Sequence, residues 1–592
     1  MKEVCSQSLL EKRWLLRAYE ETQVLTFIQK LELSPTLARL LAMRKVDLDS
    51  APLFLEPSLR SHLPDPLLLK DMDKAVDRLL KAITMQEKIL IWGDYDVDGA
   101  TSSALLCRFF RALNLPVSIY IPDRIKEGYG PNIRGIEKFK AQGYTVMIAV
   151  DCGTTSFDAL ETAVGMDVIV LDHHSAEAKL PAAHAIVNPN RLDEREEATK
   201  LFGHLAAVGI SFLCVVALNR ALRQAGFYNA IKEPKLLELL DLVALGTVCD
   251  VMPLTGLNRT FVAQGLKVMA GRKNIGLRAL ADRAGADEAP TPYHLGFILG
   301  PRINAGGRVG ESFLGARLLS TDNEQEAFEI AQKLEHYNQE RRLLEAEVQD
   351  QAFLQVDPEA AAIIVDHEDW HEGVIGIVAG RLKEKFHKPT AVIAWNKEGI
   401  GKASARSIPG FDFGRIIHKA HHLGLILGGG GHGMAAGFSL TKDHLPLLKN
   451  YLTEELERLN KEVDLKPVLL CDGYLDLRSI TMELMEEIKV LSPFGMGNPS
   501  PKFIFTDVMV QSYQLIKDQH LRCRFSQGDG VFIEGMGFRL KDTFLGKILM
   551  DGSRRPLDLI ASPKVDTWGG KTKITLMIED ATFGSVPLRE VG

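Results

Sequence analysis

Between Lys88 and Leu171, short apolar runs alternate with helical segments, and three of the runs end on acidic residues. The runs Lys88–Trp92, Val117–Ile121, Thr145–Val150 and Asp167–Leu171 are too short for helices and are spaced by the helical stretches Ala100–Ala112, Asn132–Ala141 and Phe157–Ala163. That alternation predicts βαβ units and a parallel sheet. The first run leads into GDYDVDGATSS, with Asp94, Asp96 and Asp98; the third leads into Asp151; the fourth leads into Asp172-His173-His174. Strand ends on one edge of such a sheet line a common crevice, where ligands bind.

So many carboxylates in one place repel each other strongly unless a cation neutralises them. An oxygen-rich ligand set with one or two imidazoles favours Mn²⁺ or Mg²⁺ over zinc. Two such ions, about 3.5–4 Å apart, would clamp a phosphate and activate water. Asp250, in GTVCDVMPL at the end of an apolar run, is a fourth candidate carboxylate; Cys152 and Cys249 read as buried spacers. A lone aspartate after a strand is usually a turn or cap residue. Three acidic motifs on three strand ends of one sheet leave that explanation remote. DYDVDG is not a calcium loop of the EF-hand type, because it lacks the glutamate at the twelfth position. The net charge of −7 weighs only weakly against nucleic acid, since bound cations are not counted in it.

The 592 residues, 46% hydrophobic and 25% charged, suggest several globular domains. The expected division is an N-terminal extension (1–70), a catalytic α/β domain (71–320), a connecting helix (321–358), a second α/β domain (359–460) and a C-terminal β-barrel (461–592). Thr321-Asp322-Asn323-Glu324 resembles a capping box at the start of the connecting helix, and Pro358 ends it. Ser492–Pro501, with three prolines and two glycines, reads as a linker. Met1–Trp14 carries no apolar signal segment. The apolar run 205–218 is shorter than the ~20 residues of a membrane span and reads as a buried helix. Seven cysteines without C-x-x-C spacing suggest free thiols in a reducing cytoplasm.

A second group of candidates lies downstream. Gly428–Gly431, including Gly429 and Gly430, and His432 form a glycine run that lets backbone approach an anion, although it lacks the Gly-Lys-Ser/Thr of a nucleotide loop. Ser404, Arg406 and Ser407 are suitable phosphate donors beside it. Arg302, Asn304 and Arg308 in PRINAGGR are candidate backbone contacts, with a structural arginine tied to a carboxylate as the competing reading. His421-His422 reads as solvated, and His367 and His371 as a groove edge or loop. In the tail, Tyr474, Phe503, Phe505, Phe525, Phe532 and Phe538 are candidates for base stacking, most of them core by the usual fate of strand aromatics.

The acidic motifs resemble those of the DHH phosphoesterase superfamily. The match to its RecJ branch is closer: GDYDVDGATSS, VDCGTTS, VLDHH, GTVCDVMPL, LGPRINAGGRVG and LGGGGHGMAAGF occur in that branch's order, flanked by LAMRKVDLDSAPLFLEPSL and PFGMGNPSP. The resemblance implies DHH and DHHA1 domains joined by a long helix, plus an OB-like barrel. It implies Asp94, Asp96, Asp98, Asp151, His173 and Asp250 as metal ligands and His174 as a contact to the scissile phosphate. The implied activity is 5′→3′ hydrolysis of single-stranded DNA to 5′-mononucleotides, by a monomer, in DNA repair and recombination. A single-stranded-DNA-binding protein and a RecQ-type helicase are the implied partners, and no membrane. A small-substrate phosphoesterase (nanoRNA, cyclic dinucleotide, pyrophosphate) and a non-catalytic scaffold are the alternatives. Two positions depart from the pattern: Trp92 stands where histidine is usual, and Ala405 where glycine is usual.

Overall fold

The computed structural model describes residues 1–584 except 125, 463–464, 529, 552–554 and 567–571. The chain forms two compact units, Ser58–Leu465 and a second one made of both termini, Met1–Pro57 with Lys466–Gly592.

The larger unit contains two sheets. The first is parallel throughout, in the order Val117–Tyr120, Ile89–Gly93, Val146–Val150, Asp167–Leu171, Ala185–Val187. Its central strands are buried on both faces, as five-residue apolar runs between helices require. Gly93 pairs with Val150 and Val150 with Leu171, so the three strands end at one level. Trp92 is fully buried and packs edge-on against Tyr120, with Gly135 against its ring. It is therefore a core residue of the sheet rather than part of the crevice lining.

All but the first two residues of the apolar run 205–218 lie in helix Ala207–Gln224, most of which is buried. By length and composition it is the one helix among the described residues that could cross a membrane. The connecting helix spans Glu324–Gln355. Its cap is Asn323, whose side chain accepts from the Glu326 N–H at 3.0 Å. Thr321, the expected cap, instead bonds the Glu326 side chain. Beyond it, the second sheet runs Gly428–His432, Ala435–Thr441, Ile400–Arg406, Thr390–Trp395, Ile363–His367, with only the last pair parallel.

In the smaller unit, Phe503–Ile516, His520–Gln527, Val531–Gly537, Lys573–Phe583 and Leu557–Asp566 close into a five-stranded barrel. The fold is thus α/β, with two α/β sheets, a long helix and an OB-like barrel. Strand Val468–Cys471 lies outside the barrel, in a three-stranded sheet with Lys2–Cys5 and Arg13–Leu16. Residues 1–57 are thus part of the barrel's unit, not an extension of the catalytic one. The reason is a set of buried polar contacts between the termini. Asp580, fully buried, accepts from Trp14 Nε1 at 3.0 Å and from Ser8 Oγ. Arg44 donates to Asn498 Oδ1 at 2.8 Å, and Asn498 donates to the Leu491 and Pro493 carbonyls. The Ser492–Pro501 segment is accordingly a fixed turn that receives Arg44, not a free linker. Phe503, Phe505 and Phe525 are core residues, Tyr474 is half-buried, and Phe532 and Phe538 remain exposed.

Removing the Asp580 carboxylate strands buried donors from the N-terminal segment. Asp580→Ala should lower the stability of this unit by about 3 kcal/mol. Amide hydrogen exchange should show protection lost in Lys2–Cys5 and Arg13–Leu16; unchanged protection there would refute the clasp.

Candidate active site

The parallel sheet delivers its acidic residues to one edge. Asp94 follows the first strand, Asp151 the second and Asp172-His173-His174 the third. Asp96 caps the helix Val97–Ala112, accepting from the Asp98 and Gly99 N–H groups at 2.8 and 3.1 Å. Asp98 is buried and accepts from the Ala207 and Val208 N–H groups at 2.7 and 2.9 Å, at the positive end of another helix. Asp250 ends helix Leu240–Cys249 and reaches the same point. Asp151 and Val251 both sit at φ 59°, a left-handed conformation that costs a non-glycine residue energy and is held at functional sites.

Ligand atoms converge in three overlapping groups: Asp94, Asp96 and Asp151; Asp98, His173 and Asp250; and Asp151, His173 and His174. His173 Nε2 lies 3.2 Å from Asp151, 3.5 Å from Asp250 and 3.9 Å from Asp98. Yet His173 Nε2, Asp94 Oδ1 and Asp250 Oδ2 are buried and make no hydrogen bond among the described residues. Orphaned lone pairs facing one another fit cations between them. The electrostatics agree. Burial and neighbouring carboxylates push Asp94 and Asp151 well above the usual carboxylate range. Burial and Asp96 raise Asp98 to about 7, and burial and Asp98 raise Asp250 to about 9. Burial, with His174 beside it, lowers His173 to about 4 and keeps it a neutral donor ligand.

His174 is different. Burial opposes its charge, but Asp172, 2.7 Å from its Nδ1, overrides that and raises it to about 9. Asp172 in turn is fixed by the Thr154 N–H at 3.1 Å. This leaves a half-exposed imidazolium at the crevice mouth, suited to a phosphate oxygen. Tyr129 stands over it, donating to the Asp151 carbonyl at 2.8 Å. Asp172 stands out in the sequence only as a member of the strand-end triplet, with no role of its own, and Tyr129 reads as loop.

Next to the acidic centre lies a cleft of about 780 Å³, lined by Arg124, Arg308, His371, Lys402, Ser404 and Arg406 among others. Burial and Arg124 lower Arg308 to about 10, and the same two causes lower Arg406. Arg124 also lies close enough to pull Asp94 downward. Arg308 donates to the Gly373 carbonyl at 2.9 Å, tying the two α/β halves together here. His371 caps helix Glu372–Phe386 at the rim. His367 stacks against Trp370, and His421 and His422 are exposed on their helix. Ser404 Oγ accepts from Arg406 at 3.2 Å on the cleft face of its strand. Ala405, between them, is fully buried and turned to the core, so its methyl does not restrict the cleft.

Three sequence candidates are corrected. Arg302 is held by Glu335 at 2.5 Å and by the Ile298 carbonyl, and does not join the cleft. Ser407 is buried and bonds the Phe411 carbonyl within its own turn. Gly428–His432 is an edge strand rather than an anion loop, with Gly429 paired to Phe438. Its glycines serve packing: a Cβ on Gly429 would come within 2.6 Å of the Phe438 side chain. Gly430 is open and His432 exposed, and His432 faces the acidic centre closely enough to oppose charge on His173. Asn304 lies half-buried on the helix Gly300–Val309.

Known proteins match this architecture. Family profiles of the DHH family N-terminal domain, the DHHA1 domain and the RecJ OB domain match residues 88–247, 358–464 and 471–580. The single-stranded-DNA-specific exonuclease RecJ of Bacillus subtilis is 33% identical over 578 residues, 96% of this chain and 70% of that protein. RecJ of Escherichia coli is 34% identical over 566 residues, 93% of this chain and 96% of that protein. A crystal structure of RecJ in complex with Mn²⁺ from Thermus thermophilus superposes with a TM-score of 0.80 at 28% identity, covering 96% of this chain and 79% of that one.

At pH 7 the site must shed protons to take up cations, because Asp98 and Asp250 hold them up to about 7 and about 9. Raised carboxyl pKa values mean that affinity rises with pH. Calorimetry should find Mn²⁺ bound at least about ten-fold more tightly at pH 8 than at pH 6, with proton release. A flat or inverted profile would exclude these carboxylates as ligands.

Proposed function

We propose, from the premise that this chain belongs to the RecJ family of single-stranded-DNA-specific exonucleases, a 5′→3′ direction of attack set by the arginine cleft beside the acidic centre. The chain is a metal-dependent exonuclease of single-stranded DNA and works with Mn²⁺ or Mg²⁺. The observation that supports the direction is the grouping of Arg124, Arg308 and Arg406 with Ser404 in one cleft, where none of the three guanidinium groups is paired with a carboxylate among the described residues. Guanidinium groups at such close quarters repel one another and call for an anion. A terminal phosphate is the anion that an exonuclease substrate supplies.

Asp94, Asp96 and Asp151 would hold one cation, and Asp98, His173 and Asp250 the other, with Asp151 between them. When bound, these ions supply Lewis acidity and an activated water. The chain's own groups do the rest. His174, kept charged by Asp172, donates to a non-bridging oxygen of the scissile phosphate. The arginine cleft anchors the 5′ end and so fixes which phosphodiester reaches the aspartates. The orphaned oxygens of Asp94 and Asp250 are free to hold those cations.

The chain acts on single-stranded DNA; we assign to it, as expectations of family membership, a single-stranded-DNA-binding protein and a RecQ-type helicase as partners and a monomeric state. Seven free cysteines, six of them buried, suit the reducing cytoplasm where such DNA repair takes place.

With Mn²⁺, 5′-labelled single strands should release label in the first turnovers, while 3′ label persists until late. Early loss of 3′ label would overturn the direction. Arg406→Ala should raise KM for 5′-phosphorylated strands about ten-fold or more, with little effect on strands ending in 5′-hydroxyl. Asp172→Asn should lower kcat by about 10–100-fold, the range of an outer partner, while the Mn²⁺-induced rise in Tm persists. Loss of that rise would make Asp172 a metal ligand instead.

A further inference from the structure

Where the helices Leu240–Cys249, Gly256–Ala270 and Ile275–Arg283 meet, they enclose a cavity of about 260 Å³ that shares no lining residue with the anion cleft. Met269, Leu277 and Leu299 give it apolar walls. Most of the polar side chains that line it are already engaged. Arg272 pairs with Asp282, and Arg278 with Glu324 at 2.7 Å. Asn274 accepts from the Leu277 N–H at 3.1 Å and donates to the Leu319 carbonyl at 3.2 Å. His294 Nδ1 takes the Thr291 N–H at 3.2 Å. That leaves the carboxylates of Asp241, Asp287 and Glu288, none of which has an ion-pair partner among the described residues. Asp241 is 3% exposed, and the Leu242 N–H, at 2.8 Å from Oδ1, is the one donor it takes from another described residue. Burial raises it to about 6, and Arg108, which pulls the other way, is committed to Asp322 at 3.1 Å.

An aspartate in the first turn of a helix ordinarily faces water and complements the helix dipole. This one is out of bulk water and its second oxygen faces a cavity, where a carboxylate without a cation is costly. Asp287 and Glu288 are exposed and stand at the mouth. From depth to surface the cavity thus presents a carboxylate, hydrocarbon, and carboxylates again. The complement is a short apolar chain with an ammonium group at each end. The volume falls just below the roughly 300–1,000 Å³ of pockets that take drug-sized ligands, which suits so small a molecule. The same carboxylates repel phosphate, so the cavity is no part of a path for DNA. It does bear on the acidic centre. Asp241 begins the helix that Asp250 ends, about 14 Å away along its axis. Leu299 and His294 belong to the π-turn His294–Leu299, whose Leu295 carbonyl takes the Cys249 thiol at 3.3 Å.

We propose that this cavity is an effector site for a short aliphatic diamine, with the inner ammonium on Asp241 and the outer one at Asp287 and Glu288, and that its occupation tightens the hold of Asp250 on a cation. A ligand seated there ties the start of helix Leu240–Cys249 to the π-turn that already clasps its end. Asp250 is then held in one position before the cation arrives, and less ordering remains to be done on binding. The effector role rests on the metal reading of Asp250, whereas the diamine site stands on the cavity alone.

The test titrates the full chain with putrescine by calorimetry, without metal or DNA, beside n-butylamine and butanediol. Putrescine should bind, n-butylamine about three-fold more weakly for want of the exposed outer contact, and butanediol not at all. Asp241→Asn keeps the shape of the side chain and an acceptor for the Leu242 N–H, and should weaken putrescine at least about ten-fold. Asp287→Asn with Glu288→Gln should bring putrescine down to the affinity of n-butylamine and leave n-butylamine unchanged. Mn²⁺ should then bind about five-fold more tightly at saturating putrescine, and Asp241→Asn should abolish that shift while keeping its own affinity for Mn²⁺. No heat from the wild type, equal affinity in Asp241→Asn, or butanediol binding as well as putrescine would overturn the site. Wild-type putrescine affinity in the double variant would overturn the diamine as its ligand. An unchanged Mn²⁺ affinity at saturating putrescine would overturn the effector role. Failure of the wild type to bind Mn²⁺ at all would overturn the metal reading and the effector role with it, while the putrescine titration still decides the site.

Discussion

The repulsion among Asp94, Asp96, Asp98, Asp151 and Asp250 is the constraint around which the larger unit is arranged. Carboxylates this close cannot all be charged without cations, and the raised pKa values of Asp94, Asp98, Asp151 and Asp250 express that cost. The fold meets it with rigid supports rather than with neutralising side chains. Asp98 is fixed by two backbone N–H groups at a helix start, and Asp96 by the first turn of its own helix. A lysine in their midst would satisfy the charges and leave no room for metal. The nearest side-chain cations stand one layer out, at His174 and at the arginine cleft. The resulting gradient, negative at the centre and positive around it, draws in a phosphate and holds it where the cations can act.

Much of the centre was legible in the chain, for a physical reason. A five-residue apolar run flanked by helices has few fates other than a buried parallel strand, and the residue after such a strand lies on the sheet's edge. Asp94, Asp151 and Asp172 are placed by that rule alone, and His173 follows directly on the last of them. Asp250 is not, since it ends a helix, and it was reached through its buried flank and the family pattern. Arg302 and Arg308 show where local reading stops. They share one motif and one helix, yet Arg302 is claimed by Glu335 on the long helix while Arg308 faces the cleft. Which arginine is free depends on a residue with no local mark. Arg124 and Tyr129 belong to an irregular segment without periodicity, and they were invisible for that reason.

The glycine run at Gly428–His432 misled for a related reason. Glycine signals both a loop that wraps an anion and a strand that another element approaches closely, and only the partner distinguishes them. Here the partners are Phe438 on the next strand and the helix beginning at Phe413, whose Gly414 lies against the Gly431 backbone. Ser404 and Ser407 divide in the same way. Strand alternation puts Ser404 in the cleft, and a turn takes Ser407 into the core.

The sheet that joins Arg13–Leu16 to Val468–Cys471 sets the order in which this chain can be made. Residues 58–465 form a compact unit of their own, so this unit can fold while the ribosome is still adding residues behind it. The first 57 residues cannot. Their partners, Asp580 among them, are made only after residues 58–465. Trp14, Phe27 and the other apolar side chains of that segment wait uncovered until then. A chain interrupted before the barrel would carry a folded nuclease unit behind a permanently unsatisfied hydrophobic tag.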